Sequence, residues 1–206
     1  MNMKRVVYLN SRQGSGPEAL TGGDAPQAAN VYLYDLEVEP DRQLADWNAL
    51  LLPAHADQRF LATLRRPLER WLLAGGTMVI NGHIGHPFLR WLQPFEVQSC
   101  PGLAGLQVHR HAMHPVFEGV EADHLTYRRG VAGFYARGAN PPPPDARVIN
   151  TLGPDHQPID WLLQLPGGGR LLVHSGNDLW MYAHGQDSAA RIVPQLFAWL
   201  KQGDAA

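Results

Sequence analysis

The chain has little sulfur. Its one cysteine, Cys100, rules out an intrachain disulfide framework and suits a reducing compartment. Cys100 lies in Gln98-Ser99-Cys100-Pro101-Gly102, a loop-like context with no helix start to lower a thiol pKa. Long apolar runs are also missing, since no window approaches the ~20 residues of a membrane span. The run Val6 to Ser11 behind the basic N-terminus, four of its six residues apolar, is too short for a secretory signal, so a soluble cytoplasmic protein is expected, with no membrane partner. Excess charge is absent too: 17 Lys and Arg against 19 Asp and Glu leave −2. The basic residues occur singly or as the pairs Arg65-Arg66 and Arg128-Arg129, not as a stripe, so no nucleic-acid partner is expected. Gln13-Gly14-Ser15-Gly16 lacks the Gly-Lys-Ser/Thr ending of a phosphate loop and reads as a flexible turn.

A chain of 206 residues, 45% of them hydrophobic, suffices for one sizeable α/β domain over 1–206. Val6 to Leu9, Val31 to Leu36 and Ala49 to Leu52 read as buried strands. Asp57 is placed to cap a helix whose apolar face carries Phe60, Leu61, Leu64, Leu68, Trp71 and Leu72, with Pro67 expected to kink or divide it. The centre of the chain is Gly75 to Leu92. A Gly-Gly turn leads into the strand Met78 to Asn81, then a tight turn at Gly82-His83-Ile84-Gly85, then apolar residues at helical spacing. Beyond Pro94 the runs shorten and alternate, as edge or antiparallel strands do. Ile159 to Leu165 and Arg170 to His174 flank a Pro-Gly-Gly-Gly turn and read as a hairpin, and Asp187 to Lys201 reads as a closing helix with Pro194 near its start. The expectation is a three-layer α/β/α sandwich, flavodoxin-like, with a mostly parallel central sheet and added antiparallel strands in the second half.

Four segments, in order, resemble the class I glutamine amidotransferase-like fold, and within it the trehalose-utilisation (ThuA-like) branch. They are Ala49 to Pro53, Leu73 to His83, His114 to Val120 and Gly168 to Gly176. The resemblance implies a strand-elbow-helix with a cysteine nucleophile at its tip, a histidine on a later strand and a glutamate two residues beyond. Here the tip residue is His83, the later histidine is His174, and the glutamate position is Gly176. The implied triad is degenerate, and an imidazole does not replace a thiolate as the acyl carrier, which argues against glutaminase activity. The ThuA-like branch also lacks the thiol, and it implies an association with sugar metabolism.

Several of the ten histidines lie at expected strand ends, where open α/β sheets bind ligands. His83 and His174 are the candidate acid-base pair. His55, Asp57, Asn81, His86, Asn177 and Asp178 are candidate ligand-binding residues around them. His109 and His111 would share a face if their strand continued, but no third ligand is evident, so neither a metal nor another cofactor is expected. Trp180 and Tyr182 could stack on a sugar or pack the last helix. The functional expectation is a non-glutaminase ThuA-like protein binding a small polar ligand, such as a carbohydrate derivative, around His83. Two alternatives stand beside it: an inert protein-interaction module, and a histidine-dependent metallohydrolase. Whether the chain is an enzyme, and whether it forms a homo-oligomer, the sequence leaves open.

Overall fold

A computed structural model describes residues 5–202. Its frame is an eight-stranded sheet: β1 (Arg5–Asn10), β2 (Ala29–Tyr32), β3 (Trp47–Leu52), β4 (Thr77–Asn81), β5 (Val108–Arg110), β6 (Arg147–Leu152), β7 (Gln157–Gln164) and β8 (Arg170–His174). The spatial order is β2-β1-β3-β4-β8-β7-β6-β5. The first five run parallel, and β7, β6 and β5 add on antiparallel, giving the α/β sandwich with a mostly parallel sheet.

Alternation along the buried strands feeds two cores. Val7, Leu9, Leu50, Leu52, Met78, Ile80, Leu171 and Val173 face one layer, built from α2 (Pro40–Ala45), α3 (Gln58–Thr63) and α4 (Arg65–Leu73). Tyr8, Ala49, Leu51, Val79 and Leu172 face the other, where α6 (Ile192–Lys201) packs. Two short helices, α1 (Glu18–Thr21) and α5 (Ala122–Thr126), complete the set.

Proline positions set the helix ends. The long helix expected after Asp57 is divided at Leu64 into α3 and α4. Pro67 has no N–H to offer the carbonyl of Thr63, so the ladder cannot run through. In the same way Pro194 cannot bond Ala190, and the closing segment begins as a 3-10 turn, Ser188–Arg191, before α6.

Several expectations need correction. The second strand ends at Tyr32, and Leu33–Glu37 forms a 3-10 turn that buries Leu33 and Leu36. The strand expected to reach His111 stops at Arg110, so His109 and His111 are not aligned on one strand face. Of the runs expected as antiparallel or edge strands, Leu125 to Arg128 begins in α5 and ends in a short antiparallel strand, Tyr127–Arg128, paired with Val131–Ala132 outside the main sheet, and Gly133 to Arg137 forms no strand.

The largest correction lies beyond the elbow, where no helix follows. His86 precedes Pro87 and is biased to extended backbone. The backbone N–H groups of Gly85 and His86 both donate to Gln58 Oε1, at 2.8 and 2.9 Å, and Arg90 N–H donates to Glu69 Oε1 at 2.8 Å. The segment is thereby stitched to α3 and α4, and its Phe88, Leu89 and Leu92 still reach the core. Their helix-like spacing reflects burial, not a helix.

Candidate functional site

The carboxyl ends of β3, β4 and β8 carry the residues singled out by sequence. The turn after β4 needs glycine: Gly82 has φ 91°, and a Cβ there would lie 2.6 Å from Ala54 Cα and 2.6 Å from Ala54 O. Asn140 clamps the turn, donating to Gly82 O at 2.8 Å and accepting from Ile84 N–H at 2.9 Å. Gln58 Nε2 donates to His83 O at 2.7 Å. His83 is thus fixed through its backbone while its side chain reaches solvent. Phe95 stacks on one face of its ring, centroids 3.7 Å apart at 15°. Desolvation, and then the nearby His174, lower its pKa below the ordinary histidine value, which favours a neutral imidazole.

His174 ends β8 and is fully buried. Its Nδ1 lies 2.7 Å from Asp160 Oδ1 on the neighbouring β7, where the two residues are register partners. The other oxygen, Asp160 Oδ2, accepts from Tyr135 OH at 2.7 Å and from Asn150 Nδ2 at 2.7 Å. Asn150 Oδ1 in turn accepts from Arg110, at 2.5 Å. Since Asp160 Oδ2 already accepts from two donors, Nδ1 of the imidazole is the nitrogen that donates to Oδ1. Nε2 is buried without a hydrogen-bond partner.

Sequence reasoning missed Asp160, Tyr135, Asn150 and Arg110. A signal was available: Asp160 interrupts Ile159 to Leu163, and a lone carboxylate in a buried strand requires partners. The resemblance looked for a glutamate at position 176. A side chain there is impossible on this backbone, because a Cβ on Gly176 would lie 1.5 Å from Tyr135 O and 2.9 Å from His174 Nε2. The carboxylate beside His174 comes from the adjacent antiparallel strand instead.

The remaining candidates divide by how their polar atoms are occupied. Asn81 bridges two elements, donating to Leu52 O at 2.9 Å and accepting from Leu179 N–H at 3.0 Å. Asp57 caps α3 through Arg59 and Phe60 N–H, and accepts from Tyr34 OH at 2.6 Å, so its carboxyl is held below its usual pKa, first by that hydroxyl. Asn177 donates to Phe134 O at 2.9 Å, and His86 Nε2 accepts from Arg59 at 3.2 Å. Asp178 Oδ1 accepts from Ala54 N–H at 2.6 Å; burial raises its pKa, against that bond and the nearby His55 and His174. His55 is exposed and close enough to Asp178 to act on its protonation. His55 and His83 are therefore the imidazoles that face solvent at this edge without a side-chain hydrogen bond.

Trp180 and Tyr182 are buried, Trp180 standing edge-on to Tyr8 with centroids 5.6 Å apart, so both belong to the packing of the α6 layer. Among the described residues, no three His, Cys, Asp or Glu side chains converge as a metal site. Cys100 is a free, half-buried thiol in the expected loop.

No protein-family model matches the chain, and no curated protein is similar to it in sequence. Among solved structures, it is similar to a protein of Bacteroides uniformis provisionally named ThuA-like, with a TM-score of 0.52 over 97% of this chain and 91% of that one. The fold is ThuA-like. At 14% identity the likeness speaks for backbone architecture alone. The ThuA-like sheet places His83 and His174 at the ends of adjacent parallel strands, whose last paired residues are Asn81 and His174. Among the described residues no helix is long and apolar enough to cross a membrane.

Proposed function

We propose that this protein binds a small polar ligand, a carbohydrate derivative, at the carboxyl edge of β3, β4 and β8, and that it has no glutaminase activity. The carrying observation is the buried pair His174–Asp160, 2.7 Å apart, with Nε2 of His174 left unpartnered and His174 near enough to His83 to lower its pKa. A carboxylate that fixes one ring nitrogen and leaves the other free is how proteins orient an imidazole for proton exchange or hydrogen bonding. In this reading His83 is the exposed, neutral base, His174 is its buried partner, and His55 with Asp178 completes the rim. Asn81, Asp57, Asn177 and His86 hold the edge in shape.

The absence of a thiol at the elbow supports a non-glutaminase role within a class I amidotransferase-like superfamily. Without a helix behind the turn, the elbow also lacks the positive helix end that lowers a nucleophile's pKa. A single domain, and a cytoplasmic setting inferred from the lone cysteine, belong to the same reading.

The test is a titration of histidine-labelled protein with glucose and with trehalose, followed by NMR of the ring signals. The expected result is a saturable shift of His83 and His55 with one of the sugars, abolished in His83→Ala, together with no release of ammonia from glutamine. Ring signals indifferent to both sugars, or glutamine hydrolysis that Cys100→Ser removes, would overturn the proposal.

A further inference from the structure

A cleft opens between the short hairpin Tyr127–Ala132 and the segment that follows β8. Its volume is about 640 Å³, within the range of small-molecule sites. Arg128, Arg129, Met181, Tyr182, His184 and Asp187 line it. Two guanidiniums and an imidazole face one carboxylate, and that carboxylate is engaged, Asp187 Oδ1 accepting from Ala189 N–H at 3.0 Å.

Two features are unexplained by folding alone. Tyr182 is 3% exposed and lines the cleft, yet its hydroxyl is buried with no hydrogen-bond partner. Burial raises the pKa of this phenol, so it stays a donor. A donor of this kind is costly to bury unless something accepts from it. Second, Arg129 sits at the hairpin tip with φ 50°, followed by Gly130 at φ 78°. Two-residue turns of this hand favour asparagine or glycine at the first position, and a long side chain there works against the turn. Arg129 makes no ion pair or hydrogen bond among the described residues, and its side chain borders the cleft. Arg128 is the fixed element, donating to Met181 O at 2.8 Å with its guanidinium 5.3 Å from the centre of the Tyr182 ring.

We propose that this cleft is a binding site for a small organic anion. Its carboxylate or phosphate accepts from the Tyr182 hydroxyl and pairs with Arg129 and His184, while its apolar body lies against Met181. The site is independent of the His83 reading and stands if that reading fails. A line of ring contacts does join the two: Tyr182 meets Tyr135 at 5.9 Å, and Tyr135 meets His174 at 4.6 Å.

The experiment uses full-length protein carrying methyl-labelled methionine. The Met181 methyl signal is followed by NMR while benzoate, inorganic phosphate and the neutral isostere benzyl alcohol are added in turn. The expected result is a saturable shift with benzoate, at least ten-fold weaker with benzyl alcohol. Arg129→Gly and Tyr182→Phe should each weaken benzoate binding at least ten-fold while melting at or above the wild-type temperature, because each removes a native-state penalty. Phosphate binding that also needs Arg129 would assign the recognition to the charge. The proposal is overturned if neither anion shifts Met181 saturably, if benzyl alcohol binds as well as benzoate, or if both variants bind undiminished.

Discussion

His114 makes stability depend on mild acid. It is 4% exposed, its Nδ1 accepts from Val116 N–H at 3.2 Å, and its Nε2 is buried without a partner. Burial first, and then the cations Arg147, Arg170 and Arg110, outweigh the opposing Asp160 and lower its pKa from 6.5 to about 4. The folded pKa lies below the unfolded one, so between them the unfolded chain binds more protons and stability rises with pH. The contribution is complete above pH 6.5 and is lost as pH falls through about 4. A gap of that size corresponds to about 3 kcal/mol in full, most of which disappears between pH 7 and 4.5. His114→Asn removes the titration but keeps an acceptor for Val116 N–H. Urea unfolding of both proteins at pH 7 and pH 4.5 gives the difference directly. The wild type should lose on the order of 2 kcal/mol more than the variant. Parallel losses in the two proteins would refute the assignment of a buried, neutral His114.

Other consequences follow from the elbow and the network behind it. Gly176→Ala should destabilise the fold by more than about 4 kcal/mol in urea unfolding, since its Cβ would meet the Tyr135 carbonyl; a mild effect would mean that backbone yields easily. Asp160→Asn should take the His174 proton off Nδ1, read from ring nitrogen shifts, and cost roughly 1–3 kcal/mol in lost buried hydrogen bonds. An unchanged tautomer would argue against the assigned hydrogen-bond direction. Gln58→Ala removes the bonds to His83 O and to Gly85 and His86 N–H, and should cost about 1–3 kcal/mol while broadening the His83 ring signals.

Much of the frame could be read from the sequence, because buried parallel strands advertise themselves as apolar runs and glycines mark the turns they require. Val6 to Leu9, Ala49 to Leu52 and Met78 to Asn81 fall within β1, β3 and β4, and Asp57 caps α3. The elbow helix failed as an expectation because Phe88, Leu89 and Leu92 are spaced like a helix face, while Gln58 and Glu69, distant in sequence, hold the backbone in bends and a turn. Tertiary hydrogen bonds of this kind leave no local periodicity. The site was readable only where chemistry sits at strand ends, as with His83 and His174. The Asp160–Tyr135–Asn150 network was hidden because its members come from β7, β6 and an irregular loop, and only sheet register brings them together. Asn81 shows the converse: a polar residue at a strand end whose amide ties β4 to Leu52 and Leu179.

The central claim is that the edge around His83 and His55 receives a small polar ligand. A crystal structure of the protein soaked with glucose or trehalose tests it most directly. The account predicts sugar density within hydrogen-bond distance of His83 and His55, with His174 still paired to Asp160. A sugar bound elsewhere, or an edge left to water in both soaks, would contradict it.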